Sequence, residues 1–153
     1  MSRYNWTVHE VTRHLNRFDF GEGARTLYDF IWTELCDWYV EIIKPRLYGR
    51  AGEASRRVAQ HVLAYVLTHT VELLHPYMPF ITEELWQALY ERKAGESIMV
   101  ATQPKAKLVD ERLIADFEIV KQIIAGIRTI RLQKNIPNKD ELTLQVIGSH
   151  DNR

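Results

Sequence analysis

The chain has 153 residues, 46% hydrophobic and 26% charged, with 7 Gly and 5 Pro. That length buries a sizeable core without disulfides or metals, and the composition excludes disordered, collagen-like and low-complexity classes. Twenty Lys and Arg balance twenty Asp and Glu, so the net charge of zero gives no global pull toward a polyanion.

Val8, Val11, Leu15 and Phe18 recur at helical intervals and predict a first helix over about 4–17. Beyond Gly21 and Gly23, Ala24, Leu27, Tyr28, Ile31, Leu35, Trp38, Tyr39 and Ile42 step by three or four along one face of a long second helix, which Pro45 is expected to end near Lys44. Cys36, the single cysteine, excludes an intrachain disulfide and reads as a small apolar core residue. Val58, Val62, Tyr65, His69 and Leu73 mark a third helix closed by His75-Pro76, and Pro76 and Pro79 read as a rigid corner. Leu85, Trp86, Leu89 and Tyr90 form the apolar face of a shorter fourth helix, with Thr82, Glu83 and Glu84 in its first turn and Gly95 stopping it. Ser97 to Ala101 reads as a short extended piece. A fifth helix over about 109–134 carries Leu113, Phe117, Val120, Ile124 and Ile127 on one stripe, and Leu142, Leu144 and Val146 alternate as a strand does. The expected fold is all-α, a bundle of about five helices over 1–135, with an extended element beginning in 136–153.

The charge is unevenly placed. Lys44 to Arg57 holds five basic residues against one acid, and Ile119 to Lys139 holds five and no acid, whereas Glu72 to Glu91 holds four carboxylates and no Lys or Arg. Such a pattern can orient a phosphate backbone without making the whole chain basic. Catalytic signals are missing: Gly21-Glu22-Gly23 lacks the third glycine of a dinucleotide fingerprint, no P-loop occurs, no serine sits in a nucleophile elbow, and Asp37 beside Cys36 opposes a thiolate. His61 and His69 lie eight apart with no zinc-protease carboxylate between them. The longest stretch free of Asp, Glu, Lys and Arg, Val58 to Val71, is shorter than a bilayer span, and the first residues show no secretory pattern. A cytoplasmic, non-membrane, non-enzymatic domain is expected.

Two strings carry a resemblance. Phe20 through Lys44, containing Cys36-Asp37-Trp38-Tyr39-Val40-Glu41, and Leu73 through Trp86, containing His75-Pro76-Tyr77-Met78-Pro79-Phe80, resemble the anticodon-binding helical domain of class I aminoacyl-tRNA synthetases. The Cys-Asp-Trp-Tyr-x-Glu form is most similar to the valyl branch, and Ile127 through Pro137 resembles the start of the last part of that domain. The resemblance implies a segment that holds the anticodon stem-loop of tRNA(Val) beside the catalytic body of a parent enzyme. That parent would ligate valine to tRNA(Val) with ATP and magnesium. The family's His-Ile-Gly-His and Lys-Met-Ser-Lys-Ser signatures have no counterpart here, so no cofactor is expected in this segment, and a monomer is expected.

Three basic groups are the candidate RNA contacts. Arg128, Arg131, Lys134 and Asn135 cluster at the end of the fifth helix, where Arg supplies a phosphate fork and Asn an amide edge able to read a base. Lys44, Arg46 and Arg50 surround the loop after the second helix, and Arg13 and Arg17 lie four apart on the first. Trp32, Trp38, Tyr39 and Trp86 are aromatic enough to stack on bases, but their register assigns Trp38 and Tyr39 to the core. Two other readings stay open: a brace for the synthetase body that binds RNA negligibly, and a helical protein–protein adaptor.

Overall fold

The structure is a computed structural model describing residues 1–137, 139–143 and 145. The described residues are helical without strands: α1 (Ser2–Asn16), α2 (Phe20–Asp29), a π-helical segment (Phe30–Val40), α3 (Glu41–Leu47), α4 (Glu53–Leu74), α5 (Pro79–Leu89), a 3-10 turn (Ile98–Val100) and α6 (Glu111–Gln133). The chain forms two compact units, Met1–Glu111 and Arg112–Arg153.

In the first unit, Tyr4, Val8 and Val11 project from one face of α1 at intervals of four and three, as a buried helical stripe requires. They meet Leu27, Phe30 and Leu35 from the α2–π–α3 helix, and Val66 and Leu73 from α4. Leu27 and Leu73 are fully buried, each contributing on the order of 2 kcal/mol by leaving water. Tyr4 packs its ring against Phe30 and Tyr65, with centroids 6.0 and 6.1 Å away, and burial raises its hydroxyl pKa well above the ordinary value. A smaller cluster of Val71, Trp86 and Ile98 joins α4, α5 and the 3-10 turn. The segment before α6 folds back on α1, where Asn5 Nδ2 donates to Leu108 O at 3.0 Å and the Asp110 amide donates to Ser2 Oγ at 3.3 Å.

The second predicted helix differs in two respects. It runs unbroken through Pro45 to Leu47, because a proline in a last turn removes only one of the bonds that hold the helix. Its buried stripe is Gly23, Leu27, Phe30, Leu35 and Ile43, and the five-residue step from Phe30 to Leu35 falls where the helix widens to i→i+5 bonding. A uniform 3.6-residue period therefore misplaces its neighbours: Tyr28 and Ile42 are exposed rather than in the core, and so is Cys36. Trp38 and Tyr39 are half-buried, with Tyr39 packed against the main cluster.

Other boundaries also move. Phe18 lies outside α1 and is exposed. α5 starts at Pro79, a residue suited to a first helical turn, so Thr82 sits inside it, and it ends at Leu89, well before Gly95. Ser97 caps a 3-10 turn where an extended piece was expected, its Oγ accepting from the Met99 amide at 3.2 Å. On α6, Leu113, Phe117 and Val120 are exposed, and Ile124 and Ile127 are half-buried. The strand reading depends on Leu144 and Val146, which lie outside the described residues.

Candidate nucleic-acid interface

Three helices end in the same hydrogen-bonded cap, and each cap fixes one of the basic groups. In this cap the residue after the helix turns left-handed, and two amides return to carbonyls of the last turn. After α6, Asn135 takes φ +52°, its amide donates to Leu132 O at 3.2 Å, and the Ile136 amide donates to Arg131 O at 2.9 Å. After α3, Gly49 takes φ +78°, its amide donates to Arg46 O at 3.0 Å, and the Arg50 amide donates to Pro45 O at 2.9 Å. After α1, Phe18 takes φ +59°, its amide donates to Leu15 O at 3.1 Å, and the Asp19 amide donates to His14 O at 2.9 Å.

This geometry separates occupied side chains from available ones. Arg131 spends its fork on its own backbone, Nη1 donating to Pro137 O at 2.7 Å and Nη2 to Asp140 O at 2.8 Å. Asn135 owes its place to the left-handed turn, which asparagine tolerates. Arg128 is exposed but already engaged by a neighbour, and Lys134 is exposed. Lys121, counted in the same basic run, is buried and donates to Glu118 Oε1 at 2.8 Å.

Around the loop between α3 and α4, Arg46 is a clamp. Its Nε donates to Ser55 Oγ at 2.9 Å and its Nη2 to Ser55 O at 3.3 Å, tying the end of α3 to the start of α4. Lys44 pairs with Glu41 on its own helix. Arg50 is exposed, and among the described residues no ion pair holds it.

On α1, Arg13 donates twice to Glu10 Oε2, from Nε at 3.0 Å and from Nη2 at 2.7 Å, which holds the Glu10 carboxyl below its usual pKa. Arg17 is exposed with no ion pair among the described residues. The α1 and loop groups sit at opposite ends of the α2–π–α3 helix, on the order of 40 Å apart at helical rise.

The aromatic candidates divide as well. Trp86 is buried, donates from Nε1 to Glu72 Oε1 at 3.0 Å, and has the Arg92 guanidinium 3.4 Å above its ring, so it cannot receive a base. Trp32 is 60% exposed and stacks on Tyr28, with centroids 6.3 Å apart and planes 23° from parallel. Sequence reasoning missed Phe18 and Phe20 as surface aromatics. The available signal was a helix ending at Arg17-Phe18 with no glycine to turn it.

The family model for the anticodon-binding domain of tRNA ligases matches residues 1–147. The chain belongs to that family. This anticodon-binding domain is 45% identical over 145 residues to the valine–tRNA ligase of Parabacteroides distasonis, covering 95% of the chain and 16% of the relative. It is 44% identical over 148 residues to that of Geobacillus kaustophilus, again 95% and 16%, and 42% identical over 153 residues to that of Halalkalibacterium halodurans, 99% and 17%. The chain thus spans about one sixth of the length of these relatives. Among the described residues, no group of three or more His, Cys, Asp or Glu side chains could hold a metal ion, and no helix is long and apolar enough to cross a membrane.

Proposed function

We propose that this anticodon-binding domain grips the anticodon stem-loop of tRNA(Val) through the basic groups at its helix ends, acting in the cytoplasm as a monomeric part of a valine–tRNA ligase. The observation that carries the reading is the family match along nearly the whole chain. The cations Arg17, Arg50 and Lys134, which no ion pair holds among the described residues, supply phosphate contacts, whereas Arg13, Lys44 and Arg128, each already engaged, contribute less. Arg46 and Arg131 position the loops, and Asn135 shapes the last turn. On this reading, aminoacylation with ATP and magnesium is the work of the catalytic body of the parent enzyme.

The test is binding of the chain to the tRNA(Val) anticodon stem-loop and to an anticodon-swapped stem-loop over a salt series. The expected result is a preference for the cognate loop and a clear decline of affinity with salt. Equal, weak binding to both would make the domain a brace for the synthetase body. No RNA binding alongside a tight protein partner would make it an adaptor.

A further inference from the structure

The loop between α3 and α4 holds an aromatic ring out in water. Tyr48 is 71% exposed, and among the described residues neither a ring contact nor a hydrogen bond engages its side chain. The backbone that presents it is nevertheless fixed. The Tyr48 amide donates to Lys44 O at 2.9 Å, the Arg50 amide to Pro45 O at 2.9 Å and the Gly52 amide to Gly49 O at 3.1 Å, while Arg46 holds Ser55 across the loop. Gly49 and Gly52 take φ +78° and +86°, and a β-carbon at either would meet nothing within 4 Å, so open space borders both turns. A ring carried on a fixed loop has little ordering left to lose when a partner arrives.

Charge selects an anion as that partner. From Glu41 to Arg57, five cations (Lys44, Arg46, Arg50, Arg56 and Arg57) stand against two carboxylates, Glu41 and Glu53. Both carboxylates are spent, Glu41 on Lys44 and Glu53 on Arg56. Arg46 bonds to uncharged atoms of Ser55, and among the described residues no ion pair holds Arg50 or Arg57, so three guanidinium groups have no counter-charge. The other exposed ring pairs sit beside exposed acids, Phe18 and Phe20 beside Asp19 and Glu22, Tyr28 and Trp32 beside Asp29. The ring narrows the anion further. A carboxylate surface offers tyrosine no π-face, whereas single-stranded RNA presents a base and a phosphate side by side. We propose that Tyr48 stacks on an unpaired base of the anticodon loop while Arg50 binds the adjoining phosphate, with Arg46 and Arg57 adding attraction. This deepens, and rests on, the RNA-binding reading above.

The experiment measures melting of the chain and its affinity for the tRNA(Val) anticodon stem-loop over a salt series in Tyr48→Ala, Tyr48→Phe and Arg50→Gln. All three should melt as the parent does. Tyr48→Ala should bind on the order of tenfold more weakly with the parent's salt slope, since a stacked base releases no counterion, and Tyr48→Phe should keep the parent's affinity. Arg50→Gln should weaken binding and flatten the slope by about one phosphate contact. Parent-level binding by Tyr48→Ala would overturn the stack and leave the RNA reading intact. With Arg50→Gln weakened at the same time, the patch would be a purely ionic clamp that an acidic protein could equally engage. A parent-like slope in Arg50→Gln would remove its phosphate contact. Equal losses in Tyr48→Phe and Tyr48→Ala would assign the effect to the hydroxyl, and a lowered melting temperature in Tyr48→Ala would assign it to packing; either result also sinks the stack. A parent chain that binds no RNA would overturn both readings.

Discussion

Single residues in this domain are set by close approach and by who claims a charge. Gly23 faces the corner after α4 so tightly that an added β-carbon would lie 2.2 Å from the Tyr77 hydroxyl. That hydroxyl is buried without a hydrogen-bond partner among the described residues, and burial raises its pKa. Gly23→Ala should therefore cost about 1–3 kcal/mol by forcing the ring or α2 aside, despite the better helix propensity of alanine, which chemical denaturation will measure. Arg46 and Arg50 give the matching contrast. Arg46→Ala should lower the melting temperature by releasing Ser55, whereas Arg50→Glu should leave melting unchanged and weaken RNA binding more at low salt than at high salt. Both arginines are equally visible in the sequence. Which one is spent depends on Ser55 lying across the loop, a tertiary fact.

At the scale of elements, α5 and the 3-10 turn are joined by one carboxylate. Glu83 Oε2 accepts from Ser97 Oγ at 2.7 Å and from the Ile98 amide at 3.2 Å, and Oε1 accepts from Gln87 Nε2 at 2.8 Å. The bonds from Ser97 and Gln87 hold its pKa below the ordinary value. A depressed carboxyl stabilises the fold above its unfolded pKa of about 4.3, and that contribution disappears as the pH falls through the lower folded value. Melting of Glu83→Gln should thus fall below the parent at neutral pH, and the gap should close on acidification below about pH 4. Glu83 reads from sequence as a first-turn acid favouring the helix dipole. Its work as a tether across fourteen residues follows from the fold-back at Ser97.

For the whole molecule, the main buried cluster lies entirely within Met1–Glu111. A chain ended after Glu111 should keep a cooperative thermal transition by circular dichroism, and a gradual, non-cooperative loss of helicity would contradict that. The all-α class and the approximate places of five helices were legible because apolar residues recur every three or four positions over long runs, and the family was legible in the strings Phe20–Lys44 and Leu73–Trp86. The site was legible only as a list of cations. Periodicity assigns a side chain to a face, but it does not say whether a guanidinium there finds a carbonyl, a hydroxyl or open water. Sequence alone therefore determined the helices and their kinship, because both are written in local spacing and local strings. Tertiary structure decided the five-residue step at Phe30, the left-handed turn at Phe18 and the fate of each arginine, because each depends on neighbours brought together from distant parts of the chain or on a backbone turn that apolar spacing does not encode.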